Sequence, residues 1–180
     1  MPPSDILSPE TKAGRNKIEM IAKKIRLVIV SGLSGSGRSS ALRCFEDSGF
    51  FCIDNLPPQL ITKFMDLCTQ PGSDVSHVAL GIDIRSRDFL DEFLNVYESL
   101  LKDGFPVEML FMDARDEVLV RRFSESRRPH PLVKDRLVID GILEERAKLA
   151  DLRKRANQII DTSAISLPDL KEAILHQHVK

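Results

Sequence analysis

A short apolar run followed at once by a glycine-rich loop constrains the fold of this chain more than any other feature. Residues 25–31 read IRLVIVS, and residues 32–40 read GLSGSGRSS. An apolar, β-branched run of this length is typical of a strand that is buried on both faces of a parallel sheet. Glycines between such a strand and a helix let consecutive backbone N–H groups surround an anion. The pattern therefore predicts a strand, a phosphate-binding loop and a helix, with a chance Gly/Ser turn as the alternative.

One residue of this loop departs from the usual pattern of Gly, four residues, Gly, Lys and then Ser or Thr. Arg38 stands at the lysine position, and Ser39 supplies the hydroxyl that we expect to reach a phosphate-bound Mg²⁺. Arginine keeps the charge and can pair with phosphate oxygens, but its planar fork cannot enter the same pocket unchanged. Losing one well-placed charged contact costs about 1.5–3 kcal/mol, or about ten- to a hundredfold in affinity. We expect nucleotide binding to survive in weakened form and phosphoryl transfer to suffer more.

The rest of the chain alternates between short apolar runs and helical patterns. Further strands are predicted at residues 50–54, 77–83, 107–114 and 157–161, and helices at residues 38–49, 58–69, 88–104, 116–126, 136–155 and 166–179. Five buried strands joined by helices predict an α/β fold with a parallel sheet covered on both faces. Ligands of such sheets bind at the carboxyl ends of the strands, where the motifs of this chain also fall.

Length and composition fit one cytoplasmic domain. The chain has 180 residues, a net charge of −1 and a pI of about 6.4, whereas a domain that grips nucleic acid by its phosphates is usually basic. Its three cysteines lack metal-ligand spacing, which favours free buried thiols in a reducing compartment. No run of about 18 apolar residues occurs, and the N-terminus lacks the apolar stretch of a signal peptide, so we expect neither a membrane span nor such a leader. We expect residues 1–24 to be a flexible extension with a short helix near residues 17–23, and residues 25–180 to form the nucleotide-binding domain.

Two aspartates follow predicted strands and are candidates for the chemistry of the site. Asp83 ends the third strand and can hold Mg²⁺ through water, or it is an ordinary turn residue. Asp54 ends the second strand, where it can orient or deprotonate an acceptor hydroxyl, or either it or Asn55 caps the next helix. The positions of Arg85 and Arg87 allow contact with phosphates or simple solvation.

Residues 121–132, RRFSESRRPHPL, carry a cluster of four arginines, Arg121, Arg122, Arg127 and Arg128. The cluster is typical of a mobile lid whose arginines close over phosphates, and equally of a solvated basic surface. His130 lies between two prolines and is more often structural or exposed than catalytic. The loop after the fifth strand lies near the nucleobase in related folds, or Asp161 or Ser163 caps the last helix.

Together these motifs resemble the RapZ/YvcJ family of nucleotide-binding proteins, also called RNase adapter proteins. The similarity runs from about residue 26 to about residue 163 and includes the stretches DNLPP, GIDIR, RRFSESRRPHPL and IIDTS. The resemblance implies an N-terminal P-loop domain of kinase-like fold, with ATP bound at the Walker A motif, residues 32–39. It also implies a motif associated with GTP at residues 83–86, and weak NTP hydrolysis in some members. A second domain in the family is linked to a phosphorylated amino sugar, small regulatory RNAs, an RNase partner and oligomers.

The chain departs from the family pattern at Arg38 and at Ser86, where asparagine is frequent, and it stops at Lys180, where the second domain is expected to begin. We therefore do not transfer RNA or RNase binding to these residues, and a homo-oligomer stays possible. The hypothesis is a regulatory domain that binds ATP or GTP with Mg²⁺ and hydrolyses NTP weakly at most. The alternatives are a small-molecule kinase and an oligomerisation scaffold.

The residues assigned to the site fall into three groups. Nucleotide-binding residues are Gly32, Leu33, Ser34, Gly35, Ser36, Gly37, Arg38, Ser39, Ser40, Asp83, Ile84, Arg85, Ser86, Arg121, Arg127 and Arg128. Ser39 and Asp83 are assigned to the metal, and any catalysis is assigned to Arg38, Asp54 and Asp83.

Overall fold

The computed structural model describes residues 12, 14–16, 20, 25–84 and 87–178. Most of the predicted N-terminal extension lies outside the described residues, and so does the helix expected near residues 17–23, apart from residue 20. Arg85 and Ser86 of the second motif also lie outside them.

Five parallel strands form one sheet, which confirms the predicted fold class. They are β1 (Arg26–Gly32), β2 (Phe51–Asp54), β3 (His77–Gly81), β4 (Val107–Asp113) and β5 (Gln158–Asp161). Their order in the sheet is β2-β3-β1-β4-β5. The order reverses at β1, which pairs with β3 on one side and with β4 on the other. The loop after β1 therefore leaves the middle of the carboxyl edge, the place where parallel sheets bind ligands.

Seven helices of the described ranges cover this sheet. They are α1 (Arg38–Asp47), α2 (Pro58–Cys68), α3 (Arg87–Lys102), α4 (Asp116–Ser126), α5 (Val138–Lys148), α6 (Ala150–Arg155) and α7 (Leu167–His178). The prediction of a single helix over residues 136–155 is wrong, because two helices, α5 and α6, occupy this range. The chain leaves helical geometry at Leu149, with φ −93° and ψ 3°, and the side chain of Leu149 is buried between α5 and α6. Apolar periodicity continues through such a break, so the sequence pattern did not reveal it.

Alternating residues of β1 pack into two separate cores, one on each face of the sheet. Leu27 and Ile29 join the core that contains α2, α3, α4 and α5, while Val28 and Val30 join the core that contains α1 and α7. All four side chains are fully buried. This explains why β1 is a continuous apolar run rather than an alternating one. Within the described ranges, no helix combines the length and the apolar composition needed to cross a bilayer.

The three cysteines are free thiols, as predicted. Cys44 and Cys68 are buried, whereas Cys52 is only partly buried. Burial raises the pKa of Cys52 to about 11, with a further contribution from the nearby carboxylate of Glu46. These thiols are therefore poor nucleophiles near neutral pH.

Candidate functional site

The loop between β1 and α1 has the backbone conformation that its glycines predict. The φ angles of Gly32, Gly35 and Gly37 are +146°, +82° and +100°, a region that residues with a side chain rarely adopt. Gly37 is the N-cap of α1. At Gly32 there is also no space for a side chain, because a Cβ would collide with the backbone carbonyl of Met112 on β4. Where the loop begins at the end of β1, its backbone is therefore in close contact with β4.

Two carbonyl groups of the loop are held by side chains from other elements. Arg122 on α4 donates from Nη1 to the carbonyl oxygen of Gly35 at 3.0 Å. The hydroxyl of Thr162, which follows β5, donates to the carbonyl oxygen of Ser36 at 2.6 Å. Arg122 also binds Thr162, with Nη1 3.0 Å from Oγ1 and Nη2 2.7 Å from the carbonyl oxygen. These bonds fix the direction of the loop peptides.

Some N–H groups of the loop have a hydrogen-bond acceptor within the described residues, and others have none. The N–H of Leu33 donates to Met112, and that of Ser36 donates back to Leu33. Among the described residues, no hydrogen-bond acceptor pairs with the N–H groups of Gly35, Gly37, Arg38 and Ser39. The last two also begin α1, where the helix dipole adds positive potential. A group of N–H donors arranged in this way has the chemistry to accept an anion.

Arg38 and Asp83 lie together beside this loop. Nη1 of Arg38 is 3.3 Å from the carbonyl oxygen of Ile82 and 3.5 Å from Oδ1 of Asp83. The side chains are only 17% and 10% exposed. Nε of Arg38 and Oγ of Ser36 are buried without a hydrogen-bond partner in the part of the chain that the structure describes. Buried donors without a partner are costly, and they are typical of sites that a ligand completes.

A cavity of about 660 Å³ opens beside the loop. Its walls include Ser34, Gly35, Arg38, Asp83, Arg122 and Arg128. Lys134 also lines it, so that the cationic side chains outnumber the one carboxylate among the lining residues. A concave surface with this charge attracts anionic ligands. The structure thus brings the loop, Arg38, Asp83 and Arg128 to one place.

The other predicted arginines and Asp54 lie elsewhere. Arg121 and Arg127 are exposed and outside the lining of the cavity, and Arg127 ends α4 with a φ of +51°. Asp54 ends β2 and shares a second depression with Ser39. The alternative that Asp54 or Asn55 caps α2 is wrong, because Pro57 is the N-cap.

The alternative that Asp161 or Ser163 caps the last helix is wrong. Asp161 accepts a bond from the N–H of Ser163, and the hydroxyl of Ser163 accepts one from the N–H of Arg115. The hydroxyl of Ser166 instead accepts the N–H of Asp169 in the first turn of α7. The residue of this loop that reaches the phosphate loop is Thr162.

Two residues that hold the loop were not selected from the sequence. Arg122 was placed in the arginine cluster but not in the site, although it follows the buried residues Val118 and Leu119 by four and three positions and so lies on the apolar face of α4. Glu145 was missed, although it lies between the buried residues Ile142 and Leu149 on α5. A charged residue on the buried face of a helix was the available signal.

Glu145 contacts the loop directly. Its Oε2 accepts the N–H of Ser34 at 3.0 Å, and its Oε1 accepts the hydroxyl of Ser34 at 2.7 Å. Nε2 of His130 lies 3.2 Å from the same Oε2. His130 is therefore neither exposed nor isolated, and it connects the Pro-flanked segment with the loop.

Comparison with known proteins agrees with this geometry. A family model described as the RapZ-like N-terminal domain matches residues 25–179. The chain belongs to this family. The resemblance inferred from the motifs is thereby confirmed.

Relatives of this family are about 50% identical to the chain over the residues that match. A nucleotide-binding protein of Clostridium botulinum (strain Eklund 17B / Type B) is 51% identical over 148 residues, which are 82% of this chain and 50% of the relative. A nucleotide-binding protein of Geobacter sulfurreducens is 48% identical over 156 residues, which are 87% of this chain and 54% of the relative. The chain thus spans about half the length of the curated relatives it matches.

Solved structures with a similar fold include a shikimate kinase and a sugar kinase. A shikimate kinase from Bacteroides thetaiotaomicron superposes with a TM-score of 0.57 at 16% identity, over 84% of this chain and 97% of that one. A sugar kinase from Janibacter sp. HTCC2649 gives a TM-score of 0.54 at 20% identity, over 84% and 93%. At these identities the likeness shows the fold alone, and it confirms the kinase-like P-loop architecture.

Proposed function

We propose that this domain binds a nucleoside triphosphate, ATP or GTP, as a regulatory module, with its phosphates at the loop of residues 32–40. The observation that carries the proposal is the set of unpaired N–H groups at Gly35, Gly37, Arg38 and Ser39, in a loop whose carbonyls are held by other side chains. An anion pairs all of these donors at once. The printed names of the relatives, nucleotide-binding proteins, support the same assignment.

We assign the nucleobase to another depression, which also borders Arg122. This depression of about 280 Å³ is lined by Gly37, Ser40, Arg122, Thr162 and Ile165. It adjoins the loop and combines apolar surface with the plane of a guanidinium group, which stacks well on aromatic rings. We place the base in this depression and the terminal phosphates toward Arg38 and the larger cavity.

The Mg²⁺ that accompanies such a nucleotide needs oxygen ligands on the loop side of the sheet. We assign the hydroxyl of Ser39 as a direct ligand and the carboxylate of Asp83 as a ligand through water. The second assignment requires Asp83 to share its charge with Arg38, which lies 3.5 Å away. Asp54 lies on the same side as Ser39 and is the carboxylate available to an acceptor there.

Turnover should be weak because Arg38 is already engaged. Its guanidinium faces Ile82 and Asp83 after β3. A phosphoryl group in transfer needs a cation in contact with its own oxygen atoms. The loop N–H groups bind phosphates without this charge. We therefore expect binding with hydrolysis that is slow or absent, which suits a module that reports nucleotide rather than consumes it.

Calorimetric titration with ATP, GTP and AMP, each with and without Mg²⁺, tests the proposal. We expect a triphosphate to bind at least about tenfold more tightly than AMP, because AMP cannot place phosphates at all four N–H groups. Binding should be stronger with Mg²⁺ present. Heat from neither triphosphate, or equal affinity for ATP and AMP, would refute the proposal.

A small-molecule kinase is the second candidate, and the depression shared by Ser39 and Asp54 favours it. In this case Asp54 faces the hydroxyl of an acceptor. ATP consumption that rises when sugars or nucleosides are added supports the kinase, whereas consumption that ignores them supports the regulatory module.

Assembly of the chain is a prediction from the family resemblance. A homo-oligomer is tested by light scattering with and without nucleotide. An RNA or RNase partner is tested by binding assays with the longer proteins of the family.

A further inference from the structure

A buried polar link joins the phosphate loop to the connection between α4 and α5, residues 127–137. The carboxylate of Glu145 binds the N–H and the hydroxyl of Ser34 on one side and Nε2 of His130 on the other. Glu145 is 4% exposed and His130 is 2% exposed. Both residues are therefore surrounded by packed protein rather than by solvent.

The hydrogen bonds of this link fix the position of its protons. Nδ1 of His130 accepts the N–H of Leu132 at 3.2 Å, which assigns the ring proton to Nε2 and makes His130 a donor to Glu145. Glu145 then accepts three hydrogen bonds: two from Ser34 and one from His130. The loop thus carries a protein anion beside its own N–H groups.

The connection packs against α5 without spare room. A Cβ on Gly141 would lie 2.5 Å from Nδ1 of His130 and 2.6 Å from Cγ2 of Val133, so that only glycine fits there. The ring of Phe123 on α4 lies 5.1 Å from the ring of His130. A shift of Glu145 therefore has to move His130 and the connection with it.

We propose that Glu145 is an internal anion of the phosphate loop, which opposes the terminal phosphate of a bound nucleotide and transmits its arrival to the α4–α5 connection through His130. This inference rests on the proposed function. Ser34, which Glu145 holds, directly precedes Gly35, the first of the unpaired N–H groups. A phosphate bound at Gly35 places like charge on the loop that Glu145 already contacts, and like charges in a site of low dielectric repel.

The repulsion depends on the charge of the ligand, so ligands of different charge act on Glu145 to different extents. A triphosphate opposes Glu145 more than a diphosphate does, so the two ligands stabilise different positions of Glu145 and His130. A ligand shifts a conformational equilibrium only by such a difference in interaction. The cavity-lining residues Arg128 and Lys134 lie on the same connection, so the shift also changes how these cations meet the phosphates.

Glu145→Gln tests the sign of the effect, since the side chain keeps its size and loses its charge. We expect the affinity for ATP to rise by at least about fivefold relative to that for ADP. Glu144→Gln is the matched control, because Glu144 lies on the same helix and binds the connection through Arg136 without a bond to the loop. If Glu145 only positions the loop, its replacement lowers both affinities alike, and the proposal is overturned.

Hydrogen–deuterium exchange tests the transmission, first in the wild-type chain and then in the variants. We expect ATP to change the exchange of peptides covering residues 127–137 more than ADP does, and this difference to disappear in Glu145→Gln and to persist in Glu144→Gln. Ser34→Ala removes only the hydroxyl bond to Glu145 and should reduce the difference partly, which keeps the test open if Glu145→Gln fails to fold.

The two proposals fail in different ways. A wild-type chain that binds no nucleotide in calorimetry refutes the proposed function. A wild-type chain that binds ATP and ADP but shows the same exchange in residues 127–137 with either ligand refutes the role of Glu145 alone.

Discussion

Replacing Arg122 by lysine should weaken nucleotide binding much more than the same replacement at Arg121. The two residues are neighbours on α4, but of the two only Arg122 reaches the phosphate loop. It binds the carbonyl oxygen of Gly35 in the loop and two oxygen atoms of Thr162, which follows β5. Arg121 is exposed. Burial, together with the neighbouring charge of Arg121, lowers the pKa of the Arg122 guanidinium from its ordinary value.

The size of the effect follows from the hydrogen bonds that lysine cannot reproduce. Nη1 of Arg122 bridges Gly35 and Thr162 at 3.0 Å to each, while Nη2 binds Thr162 again at 2.7 Å. A lysine ammonium is a single point on a flexible stem and cannot span both partners. Losing one charged hydrogen bond costs about 1.5–3 kcal/mol. Arg122 is partly exposed, so water replaces some of this loss, and we expect the lower end of the range. That corresponds to about a tenfold weaker affinity.

Calorimetry with ATP on the wild type, Arg122→Lys and Arg121→Lys measures this difference. Both variants keep the net charge, so a general electrostatic effect would act on them equally. The affinity of Arg121→Lys should stay within about twofold of wild type. An unchanged affinity in Arg122→Lys, or an equal loss in both variants, would contradict a role of Arg122 in fixing the loop.

Three further predictions test the loop, its arginine and a buried histidine. Gly32→Ala should destabilise the fold by about 3 kcal/mol and lower Tm by about 6–12 °C, because the new Cβ collides with Met112 at a positive φ; Gly72→Ala, also at positive φ but with open space, should cost less in the same melting experiment. Arg38→Lys should raise ATP affinity or hydrolysis, and unchanged or lower values would show that Arg38 does not stand in for lysine. Burial lowers the pKa of His178 from its ordinary value of 6.5, so the unfolded chain binds this proton more readily, and Tm should fall as the pH drops from 7.5 to 5; His178→Gln should flatten this dependence, and an equally steep profile would contradict it.

Much of the fold was predictable because its signals are local. The apolar run of β1 and the glycines at positions 32, 35 and 37 each follow from the conformation that a few consecutive residues need. The helix break at Leu149 was not predictable in this way, because the residues around it form good helix and the turn depends on the core into which Leu149 packs.

The candidate site also contains residues that the sequence located and residues that only the structure identified. The sequence located the phosphate loop, Arg38 and Asp83, and the structure places these close together. It did not distinguish Arg122 from Arg121. Adjacent residues of one cluster have the same composition, and only the packing of α4 decides which of them faces the loop.

The sequence by itself determined the backbone of the loop where we propose that an anion binds, because three glycines between a strand and a helix dictate that backbone. Only the tertiary structure decided what holds the loop in place. Glu145 is 111 residues from Ser34, and Arg122 is 87 residues from Gly35. No local pattern encodes contacts between such distant segments. They form only when the order of the strands brings α4 and α5 to the carboxyl end of β1.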